Sequence, residues 1–293
     1  MFICFNNPIG LYEPNKLDIV LTGDSFTEGY SVHANESISA VLRKLGFNAI
    51  SVGKSGNGPL IEFAVLKEYA EPLKPKIVLW VYFVDDISNL GDEMESSLLR
   101  KYLNEDDFSQ NLISRQGEID SLLVDYVEVK RERENIINHQ TIEVKREREN
   151  IINHQTINVF KLFNLRTRIN LTPELEPEPK PEPKPEPKPE PKPEPEQLEI
   201  FKDILEKSKK MVSGWGGKMY FVYLPEFWRY LTGEDHINRE FVLRTANELE
   251  IPIIDIHREV FVPHTDPLSL FPFRVSGHYN AEGYRLVSET ISK

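Results

Sequence analysis

The stretch KLDIVLTGDSFTEGY, Lys16 to Tyr30, decides the fold class. A β-branched apolar run, typical of a buried strand, ends at Gly23-Asp24-Ser25 and is followed by a helical pattern. Asp and Ser are common helix N-caps, but the carboxyl edge of a parallel sheet is also where ligands bind. Ser25 is therefore either a helix cap or a nucleophile, and the rest of the chain has to decide between them.

Four further apolar runs follow the first, with helical patterns between them. They are NAISVG, KIVLWVYF, KMYFVYL and IPIIDI. Continuous apolar strands that alternate with helices predict a parallel sheet covered on both faces. We therefore expect an α/β fold, namely a three-layer α/β/α sandwich around a flavodoxin-like, five-stranded parallel sheet.

The composition of the chain limits which classes of partner and which cellular compartment we expect. The chain has 293 residues, 40% of them hydrophobic, and a net charge of -12. An acidic chain argues against nucleic acid or an anionic membrane surface as a partner. The single cysteine, Cys4, cannot form an internal disulfide. We see no signal peptide and no run long enough to span a membrane, so a cytoplasmic protein is the default expectation. An extracytoplasmic location would follow if an N-terminal anchor is missing.

The core-like sequence is interrupted in its middle by two segments of different composition. A helical insertion is rich in Lys, Arg and Glu, and a linker alternates proline with Glu or Lys, which excludes both helix and sheet. The predicted boundaries are 1–100 for the first half of the α/β domain, 101–172 for the helical insertion, 173–196 for the low-complexity linker and 197–293 for the second half.

The insertion contains a tandem duplication. EVKRERENIINHQTI occupies 128–142 and again, unchanged, 143–157. The pattern predicts a long helical arm, either a solvated helix or a contact site for a partner. His139 and His154 occupy equivalent positions, yet on a straight helix they would lie about 22 Å apart and cannot share one metal ion.

Two distant stretches supply what a nucleophilic serine would need. RVSGHYNAEGYRLV places His278 on a loop just before a helix whose predicted cap is Asn280, and a histidine there is a candidate general base for Ser25. SVGKSGNGP follows the second strand, and its glycines let backbone N–H groups approach a substrate. Taken singly, these stretches are also compatible with a loop histidine and an ordinary turn.

Four blocks, GDSFTEGY, SVGKSGNGP, VYFVDDISN and GHYNAEGY, resemble in order and spacing those of the SGNH (GDSL-type) hydrolase superfamily. The resemblance covers most of the chain outside the duplication and the proline tract, and suggests a bacterial esterase-like or acetyltransferase-like member. It implies Ser25 as nucleophile, His278 as base, and an oxyanion hole formed by the N–H groups of Ser25 and Gly56 with a third-block residue.

This chain departs from the family pattern at two positions. The third-block Asn is replaced, most directly by Asp85, or after a shift by Asp86 or Asn89. An ionised Asp only accepts hydrogen bonds and would repel an oxyanion. The family also carries an Asp three residues before its histidine, where this chain has Val275. Asp255 and Asp266 are the nearest upstream carboxylates.

These observations predict a serine hydrolase that cleaves a small acetyl-type ester, on a carbohydrate by family habit, through an acyl-enzyme. The alternatives are a polysaccharide O-acetyltransferase with the same Ser and His, and a catalytically impaired binding module. Asp255, His257 and His264 have the residue types of a metal site but not its spacing, and no phosphate loop is present. We expect neither a metal nor a cofactor.

Overall fold

The computed structural model describes residues 7–133 and 193–293, which fall into two compact units. The first unit contains 7–116 and 193–293, and the second is represented by 117–133. None of the helices in these ranges is long and apolar enough to cross a bilayer.

Five parallel strands form the sheet of the first unit, in the order β2-β1-β3-β4-β5. The strands are β1 (Ile19–Gly23), β2 (Ala49–Ser51), β3 (Ile77–Tyr82), β4 (Lys218–Tyr223) and β5 (Ile253–Asp255). Ile19 pairs with Ala49 of β2 on one side and with Ile77 of β3 on the other. Each strand lies in one of the five predicted apolar runs, so the predicted sheet is confirmed.

Ten helices accompany the strands in the described ranges, together with short 3₁₀ and π turns. The helices are α1 (Ser25–Glu28), α2 (Ile38–Lys44), α3 (Pro59–Val65), α4 (Asp86–Glu95), α5 (Ser97–Asn104), α6 (116–133), α7 (Pro195–Gly214), α8 (Phe227–Thr232), α9 (Arg239–Glu248) and α10 (Ala281–Ile291). The turns are Ile9–Leu11, Leu66–Ala70, His257–Phe261, Pro267–Leu270 and Pro272–Arg274.

Alternate residues of the strands face two separate hydrophobic cores. Val20 of β1 and Val78 of β3 lie in one core, and Leu21 and Leu79 lie in the other. The first core is completed by α3, α4, α5, α7 and α9, and the second by α2, α8 and α10. Because side chains of a strand alternate between faces, both faces must be apolar, which explains the continuous apolar runs. The three-layer α/β/α sandwich is therefore confirmed.

The first unit extends beyond residue 100, where we placed the start of the insertion. Tyr102 and Leu103 of α5 are buried in the first core. The carboxylate of Glu68 then accepts hydrogen bonds from the Tyr102 hydroxyl at 2.6 Å and from the Leu112 N–H at 2.9 Å. Apolar burial and this carboxylate hold the chain against the sheet domain up to residue 116.

The end of the predicted linker also differs from expectation, because α7 begins at Pro195. Proline is tolerated at the first helical position, where its missing N–H needs no partner. The Glu194 N–H donates to Oε1 of Gln197 at 2.9 Å, which stabilises the helix start. Residues 128–133 of the first repeat copy are helical. The rest of both copies, with His139 and His154, and the proline tract up to 192 lie outside the described residues.

Gly23 sets the geometry of the turn from β1 into α1. A Cβ atom at this position would lie 2.1 Å from Oγ1 of Thr27 and 2.7 Å from the carbonyl oxygen of Val81. Any larger residue would therefore push α1 away from β1 and β3. The close approach places Ser25, the first residue of α1, just after the carboxyl end of β1, which lies between β2 and β3 in the sheet.

Three carboxyl groups are buried beneath this edge. Glu93 of α4 accepts the N–H groups of Gly58 at 2.7 Å and Leu60 at 2.9 Å and so caps α3, and burial raises its pKa to about 7. Asp86 is fully buried and accepts the N–H of Phe83 at 3.0 Å. Glu62 of α3 is fully buried as well, and within the described residues neither of its carboxyl oxygens has a hydrogen-bond partner.

Replacing Glu62 by methionine should stabilise the protein at pH 8. Burial first, then the charges of Asp24 and Glu93, raise the pKa of Glu62 well above 4.5, its ordinary value. The stability contributed by its protonated form is complete below pH 4.5 and is lost as the pH rises toward the folded-state pKa. Removing the unpaired polar group should therefore raise the free energy of unfolding by about 1–3 kcal/mol at pH 8, and by less at pH 5.

Urea unfolding of both proteins at the two pH values measures this difference. Glu71→Met, which alters an exposed glutamate close by, is the control and should change stability by no more than about 0.5 kcal/mol. A less stable Glu62→Met protein at pH 8 would contradict the prediction.

Candidate active site

The N-terminus of α1 is capped by Asp24, not by Ser25. A carboxylate oxygen of Asp24 accepts the N–H of Phe26 at 2.9 Å, and the Asp24 side chain is buried. Ser25 follows as the first helical residue. Because its neighbour supplies the cap, the hydroxyl of Ser25 is not needed for capping, and nucleophile is the remaining alternative.

The Ser25 hydroxyl lies within hydrogen-bond distance of His278. The distance between Oγ of Ser25 and Nε2 of His278 is 2.6 Å, although the two residues are 253 positions apart. His278 comes from the loop before α10, whose N-cap is Asn280 as predicted: its side chain accepts the N–H of Gly283 at 3.0 Å. The Asn280 amide also donates to the carbonyl of Ser269 at 2.8 Å, which fixes the loop that carries His278.

The environment of His278 favours its neutral form. The imidazole is half-buried, with the Phe26 ring centroid 4.5 Å away and the Tyr30 ring centroid 5.4 Å away. Burial lowers the pKa of His278, and the negative charge of Glu28 acts against this shift. Since the ordinary value is 6.5, the ring is mainly neutral at pH 7, and Nε2 can accept the proton of Ser25.

A second acceptor lies near the serine hydroxyl. Oδ2 of Asp24 is 3.2 Å from Oγ of Ser25. Burial, opposed by the Phe26 N–H and reinforced by the charge of Asp85, raises the pKa of Asp24 to about 6. The shorter distance makes His278 the better acceptor of the Ser25 proton.

Gly56 lies in the turn after β2, next to β1 in the sheet. Its φ angle of 84° lies in the left-handed region that glycine adopts without strain, and a Cβ atom there would meet nothing within 4 Å. The preceding N–H, that of Ser55, donates to Oε2 of Glu28 at 2.8 Å. The turn is thus exposed at the same edge of the sheet as Ser25 and is tied to α1.

Of the three third-block candidates, Asp85 is the one at the edge of the sheet. It is half-buried, directly precedes α4, and its charge contributes to the raised pKa of Asp24. Its carbonyl accepts the Ser88 hydroxyl at 2.6 Å. Asp86 is buried, as described above, and Asn89 lies one turn further along α4, where its Cβ packs close to Gly58. Asp85 therefore stays the first candidate for the third-block position.

The residue three positions before His278 cannot orient it. The Val275 side chain is exposed. The two upstream carboxylates named by the sequence are each bound to an arginine: Asp266 accepts from Arg274 at 3.2 Å and Asp255 from Arg239 at 2.5 Å. The carboxylate whose charge acts on His278 is that of Glu28, a residue that the sequence analysis did not single out. The sequence feature that could have indicated Glu28 is its position in GDSFTEGY, one helical turn after Ser25.

The residue types considered for a metal site have other contacts. Nδ1 of His257 is 2.8 Å from the Tyr230 hydroxyl, and burial, with the charge of Arg229, lowers the pKa of His257 to about 4. Nδ1 of His264 accepts the N–H of Asp266 at 3.1 Å. Across 7–133 and 193–293, no group of three His, Cys, Asp or Glu side chains is placed to hold a metal ion.

Comparisons with known proteins give structural relatives only. No family model matches the chain, and no curated protein matches it. Similar solved structures include a protein of Desulfitobacterium hafniense DCB-2 assigned to the lipolytic G-D-S-L family, with 14% identity and a TM-score of 0.47, covering 94% of this chain and 98% of that chain. A member of the lipolytic G-D-S-L family from Veillonella parvula DSM 2008 has 13% identity and a TM-score of 0.46, covering 94% and 95%. The psychrotrophic esterase EstA of Pseudoalteromonas sp. has 8% identity and a TM-score of 0.41, covering 94% of each chain. All three TM-scores lie below 0.5, so these likenesses carry no argument about function.

Proposed function

We propose that this chain is a serine esterase of the SGNH type that cleaves a small acyl ester. The observation that carries the proposal is the 2.6 Å contact between Oγ of Ser25 and Nε2 of His278 at the carboxyl edge of the parallel sheet. A nucleophile within hydrogen-bond reach of a base is the arrangement that covalent acyl transfer needs. The resemblance of the four sequence blocks assigns the roles of nucleophile and base to the same two residues.

The proposed reaction proceeds in two halves. Nε2 of His278 takes the proton from Ser25 as Oγ attacks the ester carbonyl carbon, and the same imidazolium then protonates the departing alcohol. Water, deprotonated by His278, attacks the acyl-enzyme and releases the acid with Ser25 restored. The N–H groups of Ser25 and Gly56 are proposed to stabilise the oxyanion in both halves.

Asp85 is the residue of the proposed oxyanion hole that is least suited to stabilise an oxyanion. An ionised carboxylate in the place of an amide supplies no hydrogen-bond donor, and losing one donor typically costs about a hundred- to a thousandfold in rate. We therefore expect a slow enzyme. The same feature favours the second candidate, a catalytically impaired module that binds a glycan or another partner.

The proposed substrate is an acetyl ester of a carbohydrate, a choice that comes from the family resemblance. The exposed ring of Tyr30 beside His278 offers an apolar surface of the kind that lines ligand sites. Transfer of the acetyl group to a polysaccharide hydroxyl would use the same Ser25 and His278. Measuring nitrophenol and free acetate from p-nitrophenyl acetate, with and without oligosaccharide, separates the two outcomes: transfer lowers acetate relative to nitrophenol.

A fluorophosphonate probe should label the wild-type protein and fail to label Ser25→Ala. The probe reacts covalently only with an activated serine hydroxyl, and the substitution removes one oxygen atom at a half-buried position. Mass spectrometry of the intact protein measures the labelled fraction. Ser276→Ala, which alters an exposed serine near His278, should be labelled like the wild type. Equal labelling of wild type and Ser25→Ala would overturn the proposal.

A further inference from the structure

The carboxylate of Glu28 joins the nucleophile helix to the turn that carries Gly56. Glu28 is the last residue of α1, one helical turn after Ser25. Its Oε1 forms an ion pair with Lys54, and its Oε2 accepts the Ser55 N–H at 2.8 Å. The Glu28 side chain is only 17% exposed, so this ion pair is less screened by water than a fully exposed pair would be.

The turn that contains Gly56 is bound to β1 at its base, where the Lys54 N–H donates to the carbonyl of Gly23 at 3.2 Å, but its tip has little packing. Lys54, Ser55 and Gly56 are all exposed, and no atom outside the turn lies near the missing Cβ of Gly56. Within the turn, the Asn57 N–H donates to the carbonyl of Lys54 at 3.0 Å. The bond from Ser55 to Glu28 holds the Lys54–Ser55 peptide, which is next to the peptide that carries the Gly56 N–H, and so restrains the turn at the residue before Gly56.

The same carboxylate acts electrostatically on His278. Its negative charge raises the pKa of His278 against the lowering by burial. In the described residues, the imidazole faces the Ser25 hydroxyl, the rings of Phe26 and Tyr30 and the charge of Glu28, and Lys54 is paired to Glu28. When His278 takes the proton of Ser25 it becomes a cation, and a nearby negative charge favours that state.

We propose that Glu28 is a positioning residue, which fixes the turn bearing Gly56 against α1 and offsets the positive charge that His278 acquires during the reaction. This inference rests on the proposed esterase function. It assigns to a residue within the first block a task that the family pattern places on an Asp before the histidine, where this chain has the exposed Val275.

The variants Glu28→Gln and Glu28→Ala separate the two effects. Gln keeps an acceptor for the Ser55 N–H but loses the charge, whereas Ala loses both. We expect kcat/KM for p-nitrophenyl acetate to fall by about tenfold in Gln, because the charge that favours the His278 cation is lost. In Ala we expect a fall of about a hundredfold, since small displacements of catalytic groups cost about that much. The acidic limb of the kcat/KM profile should move to lower pH in both variants, because His278 loses the charge that raises its pKa.

Glu36→Gln is the matched control, because in the part of the chain that the structure describes the Glu36 carboxylate accepts a backbone N–H, that of His33, at 3.0 Å, and forms no hydrogen bond or ion pair with His278 or the Gly56 turn. It should keep the wild-type rate and profile. Melting midpoints show whether each variant is folded. If Glu28→Ala does not fold, the rate and pH profile of Glu28→Gln alone decide the test. A wild-type rate in both variants, or a lowered rate with an unmoved acidic limb, would overturn the inference. Absence of turnover and labelling in the wild type would instead overturn the esterase proposal itself.

Discussion

Replacing His278 by alanine should lower kcat/KM for p-nitrophenyl acetate by about a thousandfold or more. The 2.6 Å contact with Ser25 is lost, so no group remains that can take the serine proton and return it to the leaving alcohol. Asp24 stays 3.2 Å from the hydroxyl and its pKa is raised to about 6, but the Phe26 N–H holds it as the helix cap, so we do not expect it to carry the proton on to the leaving alcohol. Steady-state kinetics measure the loss.

His33→Ala provides the comparison for this variant, because His33 is exposed in the loop after α1. It should retain the wild-type rate. The wild-type kcat/KM should fall only below pH 6.5, since burial lowers the pKa of His278 from that ordinary value. If the His278→Ala protein turned over at close to the wild-type rate, His278 would not be the base, and the mechanism proposed for Ser25 would fail.

Replacing Asp85 by asparagine should raise kcat by about ten- to a hundredfold. The amide of Asn would supply the donor that an ionised carboxylate lacks, at the place where the chain enters α4. The change also removes a negative charge that contributes to the raised pKa of Asp24. The measurement is the rate of p-nitrophenyl acetate hydrolysis at saturating substrate.

Asp92→Asn, an exposed position on the same helix, should leave the rate unchanged. A fall in kcat for Asp85→Asn would contradict the prediction and indicate that the carboxyl is protonated and donates in its own right. If both the wild type and Asp85→Asn stay inert and unlabelled, the binding-module alternative holds and the esterase proposal is wrong.

The sequence allowed the sheet to be predicted because its strands are buried on both faces. Runs such as KIVLWVYF carry their own signal, since each residue contacts one core or the other. The Asn280 cap could also be predicted, because capping is a local interaction between residues three positions apart. The cap depends on residues that are close in sequence, and the strands depend on apolar burial that is the same at every position.

The remaining features depend on contacts between distant residues. Glu62 belongs to an ordinary helical pattern, and nothing in its neighbours along the chain indicates full burial beside other carboxyl groups. Glu28 acts through Ser55, which is separated from it by the whole of α2 and β2. The sheet unit includes residues up to 116, beyond the predicted boundary at residue 100, and Glu68 binds this segment through the Leu112 N–H. No sequence pattern near Leu112 indicates that contact.

The connection between β3 and β4 tolerates changes in its length. β3 and β4 pair directly over Ile77–Tyr82, yet positions 83–217 separate them along the chain. Because the free energy of closing a loop grows only with the logarithm of its length, each doubling costs about 0.6 kcal/mol, and one further copy of 128–142 is far less than a doubling. Natural selection can therefore lengthen this connection by tandem copying at almost no thermodynamic penalty. Ser25 follows β1 and Asp85 follows β3, and both residues precede the repeat in the chain, so a further copy leaves the pairing of β1 with β3 unchanged.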